Sequence, residues 1–406
     1  MIKQLILSLT LITLLLAGCT TAAQNAPEAS PPDVVSEAQV EIDDATTQDN
    51  PQVFPPEVVA EIQAEMDDLT AGELPPGMIV WIDAPEYRFA GASGFADRMN
   101  NTPMPPEGAF RIGSITKMFT ATVILQLAEE GVLSLDDPLA QWLPDVAEQL
   151  PYGDQITLRH LLTHTSGLFN VVEHEAYYAD LFTEMVVDEA TGNVTLACVQ
   201  RDPHDTLARY VYGQEAQFAP GTQWRYSNTN YTLLGMVIEA AAEMPLAEAY
   251  RTHIYEPLGM MSTFLDCYEE PVTDVVHGYT TGAEGAMTDV TELHESIGWS
   301  AGGLVSTAAD LTTFARGLFG GALFDSPETL AAMTTPAPGS SYGLGLMLQG
   351  DYMGHAGYIA GFRSVLNYAP ETDTVVVMLY NHDAADPEQS LAEVVNPALS
   401  LLDAAE

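Results

Sequence analysis

The stretch that most constrains the fold is Gly113-Ser114-Ile115-Thr116-Lys117, followed by the apolar run Met118 to Ala128. A helix that is apolar almost all the way round has no face to offer water, so this run predicts a helix buried on every side within a sizeable domain. Gly131 fits a left-handed residue just past its end. Ser114 and Lys117 then stand at the mouth of that helix, three residues apart on one face, where an amine can reach a hydroxyl. As a mere cap the pair is poorly chosen. A capping box wants Glu or Gln three residues after the Ser, and a first-turn cation opposes the helix dipole.

The rest of the composition sharpens this reading. The 12 basic residues include only two lysines, Lys3 and Lys117, so ten are arginines. Lys3 lies in a segment expected to be removed, which leaves one lysine in the mature chain. Arg does not give up its proton in a protein, whereas a partly buried Lys can fall in pKa and act as a base. A chain that uses Arg everywhere else and Lys here points to a deprotonatable amine beside a hydroxyl nucleophile.

Against those 12 cations stand 57 acids, for a formal net charge of -45 over 406 residues. Such a field repels nucleic acid and anionic membrane surfaces, so neither is an expected partner. Residues 1–18 combine Lys3, an apolar stretch from Leu5 to Leu16 and small residues, the pattern of a signal peptide too short to span a bilayer. Leu16-Ala17-Gly18-Cys19 resembles a bacterial lipobox, making Cys19 the expected lipidation site and a lipid anchor the only expected membrane contact. Cys198 and Cys267 then remain as an even pair in an oxidising compartment, a disulfide candidate, with two buried free thiols as the alternative. Residues 19–56 are rich in Ala, Pro, Thr and acid and read as a disordered tether. The folded domain is expected over residues 57–403.

Within it, Pro55 to Leu69 predicts a first helix, and Met78 to Asp83 with Tyr87 to Gly94 predict a hairpin. Further helices are expected over Tyr231 to Ala242, from a cap at Ser306 or Thr307 to about Leu318, and over Pro387 to Leu402. Strands are expected at Gly343 to Leu348, Met353 to His355, Phe362 to Tyr368 and Thr374 to Tyr380. The last two are joined by the turn Pro370-Glu371-Thr372-Asp373. Strands at both ends with helices between imply an α+β fold: an antiparallel sheet built from both termini, flanked by helices, with a mostly helical region inserted. Residues 171–219 lack a clean period and read as an inserted lid or loop.

An acyl-transfer site needs more than a Ser-Lys pair, and the order Ser114-x-x-Lys117, Tyr226-x-Asn228, His355-x-Gly357 supplies the rest. These motifs, with Leu161 to Leu168, Pro257 to Met260 and Ala301 to Thr307, resemble the serine β-lactamase and DD-peptidase superfamily, nearest its class C β-lactamase, DD-carboxypeptidase and esterase branch. The resemblance implies a β-lactamase/transpeptidase-like fold and an acyl-enzyme mechanism, with no cofactor and no metal. Ser114 would be the nucleophile, and Lys117 and Tyr226 would share the proton work. Asn228 would bind substrate, the N–H groups of Ser114 and Tyr358 would form an oxyanion hole, and His355 would lie near the substrate carboxylate or the Tyr226 hydroxyl. The implied substrate is a small molecule or peptide: a D-alanyl peptide, a β-lactam or a small ester. The alternative is a catalytically silent cell-wall peptide-binding lipoprotein of the same fold. His160 and His164 read as structural. Arg363 reads as a surface cation, with a substrate carboxylate as its functional alternative. No H-E-x-x-H, C-x-x-C or G-x-S-x-G occurs, which argues against a zincin, a zinc ribbon and an α/β-hydrolase.

Overall fold

A computed structural model describes residues 52–397 and 399, apart from 73, 188–193, 282–285 and 295. The expected signal peptide, Cys19 and nearly all of the expected tether lie outside the described residues. After a first helix α1 (Pro56–Thr70) come strands β1 (Gly77–Asp83) and β2 (Tyr87–Asp97), then the short strand β3 (Ala109–Arg111). A 3-10 turn, Gly113–Ile115, leads into helix α2 (Thr116–Glu129). The middle of the chain supplies α3 (Leu158–Leu162) and α4 (Asn228–Ala242), and strand β4 (Leu304–Thr307) runs into α5 (Ala308–Phe319). Four strands close the chain: β5 (Met347–Gln349), β6 (Tyr352–Ile359), β7 (Phe362–Ala369) and β8 (Thr374–Tyr380).

The main sheet runs β2-β1-β8-β7-β6-β5, all antiparallel, with Gln52–Val53 added in parallel on the β2 side and Thr102–Pro103 also pairing with β2. The two chain ends meet at β1 and β8, where Met78 faces Tyr380 and Asp83 faces Val375. Every residue of these two strands is buried, because helices cover both faces. On one face Val80, Ile82, Val376 and Met378 pack with Val58, Ile62 and Met66 of α1. On the other, Ile79, Val377 and Leu379 join the larger core that surrounds α2. Helices flanking an antiparallel sheet from both termini is the architecture expected from the sequence.

Helix α2 is the axis of that larger core. It is buried almost throughout, from Thr116 to Leu125. Phe119 stacks on Phe314 of α5 with ring centroids 3.8 Å apart. The same helix buries three threonines, which is tolerable only because each hydroxyl has a partner. Thr120, for example, bonds the carbonyl oxygen of Ser300 at 2.7 Å, and Thr116 accepts from the Leu304 N–H. Gly131, with φ +73°, follows the helix as expected.

Three expectations need adjusting. The strand expected over Gly343 to Leu348 is reduced to Met347–Gln349, since Gly345 takes φ +82° and breaks the extended run. An added Cβ at Gly345 would lie 2.5 Å from that of Ala121, so the chain here bends against α2. The strand expected at Met353 to His355 runs on to Ile359. Residues 171–219 are not uniformly irregular: they hold the helices Glu175–Glu184 and Pro203–Tyr210. Cys198 and Cys267 are joined in a disulfide 69 residues apart, tying this insert to the segment before β4. The loop is long, so the double variant Cys198→Ser/Cys267→Ser is expected to lose up to about 4 kcal/mol of unfolding free energy in the chain-entropy picture. Urea melts of the two proteins under non-reducing conditions measure it.

Candidate active site

Three elements bring the site together. The turn Gly113–Ile115 carries Ser114, the first turn of α2 carries Lys117, and the N-terminus of α4 carries Asn228 with Tyr226 just before it. Lys117 is fully buried. Its Nζ lies 3.0 Å from Ser114 Oγ, 2.8 Å from Asn228 Oδ1 and 2.6 Å from the carbonyl oxygen of Ala301. The Tyr226 hydroxyl lies 2.9 Å from the same Ser114 Oγ.

The protonation pattern follows from what each partner can do. Asn170 Oδ1 accepts from the Asn228 backbone N–H at 3.0 Å, and it also faces Asn228 Nδ2 at 3.3 Å. A backbone N–H can only donate, so the Asn170 atom is an oxygen. The Asn228 atom facing it is then nitrogen, and the one facing Lys117 is oxygen. Two of the three Lys117 neighbours are therefore pure acceptors. A neutral amine has two protons for them and one lone pair for the Ser114 hydroxyl. Burial drives the Lys117 amine well below its ordinary pKa, in the same direction. Burial drives the Tyr226 phenol the other way, up from its ordinary value, partly offset by its bond to Ser114. The site thus holds an amine poised to take a proton beside a phenol that keeps its own.

Strand β6 forms the facing wall. Its partner β5 covers only Tyr352 to Gly354, so from His355 to Ile359 it pairs with β7 alone among the described residues. That stretch is pressed against the nucleophile's turn. A Cβ on Gly357 would sit 2.0 Å from the Ile112 carbonyl oxygen and 2.2 Å from Ser364 Oγ, so nothing larger fits. Gly113, at φ +50°, packs on the backbone of Tyr358, where an added Cβ would lie 2.8 Å from the Tyr358 nitrogen. The small residues of this strand are thus explained by one close approach, which sets the Tyr358 backbone beside Ser114.

His355 stands beside Tyr226 without bonding its hydroxyl. It is buried, its Nδ1 donates to the Ala356 carbonyl oxygen at 2.7 Å, and its Nε2 accepts from the Tyr342 hydroxyl at 3.0 Å. Its bonds go to Tyr342, not to the Tyr226 hydroxyl, and its ring centroid stands 6.3 Å from that of Tyr226. Burial pushes its pKa down to about 3. A neutral His355 offers no charge to a carboxylate. The Arg363 guanidinium does: it lies over the ring of Tyr358, 4.7 Å from its centroid, with Nε bonded to the Asp383 carbonyl oxygen. Arg111 and Arg316 hold carboxylates, whereas Arg363 pairs with none among the described residues.

Sequence reasoning missed Asn170, which orients Asn228, and the Ala301 carbonyl, although the Ala301 stretch itself stood out. Neither carries a local signal, because their roles exist only once the loops meet. His160 caps α3, donating its backbone N–H to Thr157 and accepting from it through Nδ1. Cys198, Asp266, Cys267 and His294 come within 4.8 Å of one another. Both sulfurs are in the disulfide, and Arg111 occupies Asp266 and faces His294 Nδ1 at 3.0 Å, so this donor set does not suit a cation.

Comparison with known proteins gives the family. Residues 66–399 match the beta-lactamase family. The penicillin-binding protein PbpX of Bacillus subtilis (strain 168) is 30% identical over 71% of this chain and 66% of its own length. Esterase EstB of Burkholderia gladioli is 35% identical over 43% of each chain. The chain thus spans about two thirds or less of these curated relatives. Among solved structures, D-stereospecific amidohydrolase from Streptomyces sp. superposes with a TM-score of 0.69 at 31% identity, covering 82% of this chain and 97% of that one. D-amino acid amidase from Ochrobactrum anthropi SV3 does so with a TM-score of 0.70 at 28% identity, covering 86% and 100%. This chain belongs to the beta-lactamase family, as a serine hydrolase of the β-lactamase and penicillin-binding protein type.

Proposed function

We propose that the protein is an extracytoplasmic hydrolase, lipid-anchored through Cys19 at the end of an acidic tether, that cleaves small acyl donors through an acyl-enzyme on Ser114. The observation that carries this reading is the buried Lys117 amine, with two acceptor oxygens for its protons and its third neighbour the Ser114 hydroxyl. Lys117 withdraws the Ser114 proton as Oγ attacks the substrate carbonyl, and the N–H groups of Ser114 and Tyr358 receive the oxyanion. Tyr226 delivers a proton to the departing amine or alcohol. Water then takes the leaving group's place, and the same groups return the protons as the acid is released.

The preferred substrate class is an amide or ester of a D-configured acyl group, a D-alanyl peptide among them, with β-lactams as cyclic analogues. The relatives named for D-amino acid amidase and D-stereospecific amidohydrolase activity support that choice. Asn228, held on Lys117 and Asn170, is the residue assigned to bond the substrate's amide. A silent peptide-binding protein of this fold is the weaker reading, since a binder has no use for a buried neutral lysine.

Intact mass of the mature protein mixed with benzylpenicillin tests the reading, beside its Ser114→Ala variant. An adduct, or consumption of the drug or of a D-amino acid anilide, is expected in the parent and absent in the variant. Unchanged turnover by Ser114→Ala would sink the proposal. Lys117→Arg puts a permanent cation in place of the neutral amine and removes the base, so acylation is expected to fall about 10²–10⁴-fold. Arg363→Ala is expected to lower kcat/KM roughly 10–100-fold for a carboxylate-bearing substrate only, a loss of about 1.5–3 kcal/mol. A matched neutral ester, assayed in parallel, should be turned over at the parent rate.

A further inference from the structure

His164 is the buried polar group this chemistry leaves unused. It is fully buried, in a left-handed backbone conformation at φ +58°, a conformation that few residues other than Gly, Asn, Asp and His adopt. Its backbone carbonyl oxygen accepts from the N–H of Arg225 at 3.0 Å, and its ring Nδ1 accepts from the N–H of Ser227 at 3.3 Å. The residues on either side of Tyr226 are thus both hydrogen-bonded to this one histidine. Its ring lies 4.3 Å from that of Tyr226, centroid to centroid, on the residue it brackets. Lys117 Nζ stands 4.9 Å from the centroid of the same ring.

The tautomer is fixed by donors. Ser227 contributes a backbone N–H, which cannot accept. Asn230 Nδ2 lies 3.1 Å from the same Nδ1. Asn230 Oδ1 is occupied by the Ser166 hydroxyl at 2.6 Å, and that hydroxyl accepts from the Leu168 N–H. Nδ1 therefore has two donors pointed at it, and the proton must be on Nε2, which has no hydrogen-bond partner. Charging this ring would put a proton between Nδ1 and two donors. The titratable groups around it are Lys117, His355, Tyr226, Tyr231 and Tyr342. None is a carboxylate that would favour the charge, and burial drives the His164 pKa well below its ordinary value.

We propose that His164 is the positioning residue of Tyr226: its neutral Nε2–H form holds the backbone on both sides of the tyrosine and sets the phenol on Ser114. This rests on the reading of Tyr226 as the group that protonates the leaving group. A donor out of place hurts most where the leaving group needs its proton, so the signature lies in leaving-group dependence rather than overall rate.

Two variants separate the parts of His164. His164→Asn sets an amide oxygen near the position of Nδ1 and tolerates the left-handed backbone, but lacks the ring; His164→Phe keeps a ring and lacks the acceptor. With an anilide and a p-nitrophenyl ester of the same D-amino acid, His164→Phe is expected to lower kcat about 100-fold on the anilide and under about 5-fold on the ester, with KM little changed. His164→Asn should recover at least tenfold of the anilide loss. Equal losses on both substrates, or no advantage of Asn over Phe, would overturn the proposal. Because His164→Phe is the variant at risk of misfolding, ¹⁵N NMR of the wild-type ring supplies a check that needs neither variant. The Nε2–H tautomer should persist from pH 5 to 9, and a titrating ring or a proton on Nδ1 would reject the assignment. That spectrum also stands if Ser114-dependent turnover is not found, so failure of the proposed function and failure of this inference remain distinct.

Discussion

The structure turns on one buried amine. Removing Lys117 from water is costly for its charged form, and the fold answers with partners suited to the neutral one: the Ala301 carbonyl, Asn228 Oδ1 and Ser114 Oγ. Those three come from the segment before β4, the N-terminus of α4 and the turn before α2. A single nitrogen therefore dictates how three distant parts of the chain meet. Its surroundings are aromatic, with Tyr226 and Tyr231 within 5.5 Å of Nζ, centroid to nitrogen. They contain no acid, which keeps the amine's pKa low in a protein that otherwise carries 57 of them.

The sheet supplies the second constraint. β6 must come close enough to the nucleophile's turn for its backbone to address the reacting carbonyl, and side chains would prevent it. Gly357 against Ile112 and Gly113 against Tyr358 remove the obstruction from both sides, and Ser364 Oγ bonds the Ile112 carbonyl at 2.8 Å to lock the spacing. On the far side of the same turn, Arg111 of β3 is pinned by Asp266 at 2.9 Å and by the Thr291 carbonyl oxygen. Asp266 precedes Cys267 of the disulfide. The turn carrying Ser114 is thus braced by a buried ion pair on one side and by the sheet on the other, and positioning of this kind is what acyl transfer requires.

The surface charge belongs to a different level of the molecule. Most arginines hold neighbouring acids, as Arg316 bridges Asp83 and Asp373, stitching α5 to the loop between β7 and β8. Arg363 stands apart from that pattern and lies next to the open stretch of β6. With His355 held neutral, electrostatic recognition of an anionic substrate has one candidate on this strand pair.

Much was legible beforehand, and for identifiable reasons. The apolar run after Lys117 determined a wholly buried helix, and the lone lysine at its mouth marked the chemistry, since Arg would serve for any role that only needed charge. The short strand-like runs at both chain ends, with helices between them, implied an antiparallel sheet built from both termini. What the sequence left undecided was long-range geometry. Nothing local tells that Asn170 orients Asn228, that Tyr342 and not Tyr226 takes His355, or that His164 brackets Tyr226 rather than filling space. Each is a hydrogen bond between residues 13 to 63 positions apart, and its direction depends on which groups burial leaves without water. Residue type determines what a side chain can donate or accept; only the packed tertiary structure decides which partner is within 3 Å and which proton is therefore allowed to stay.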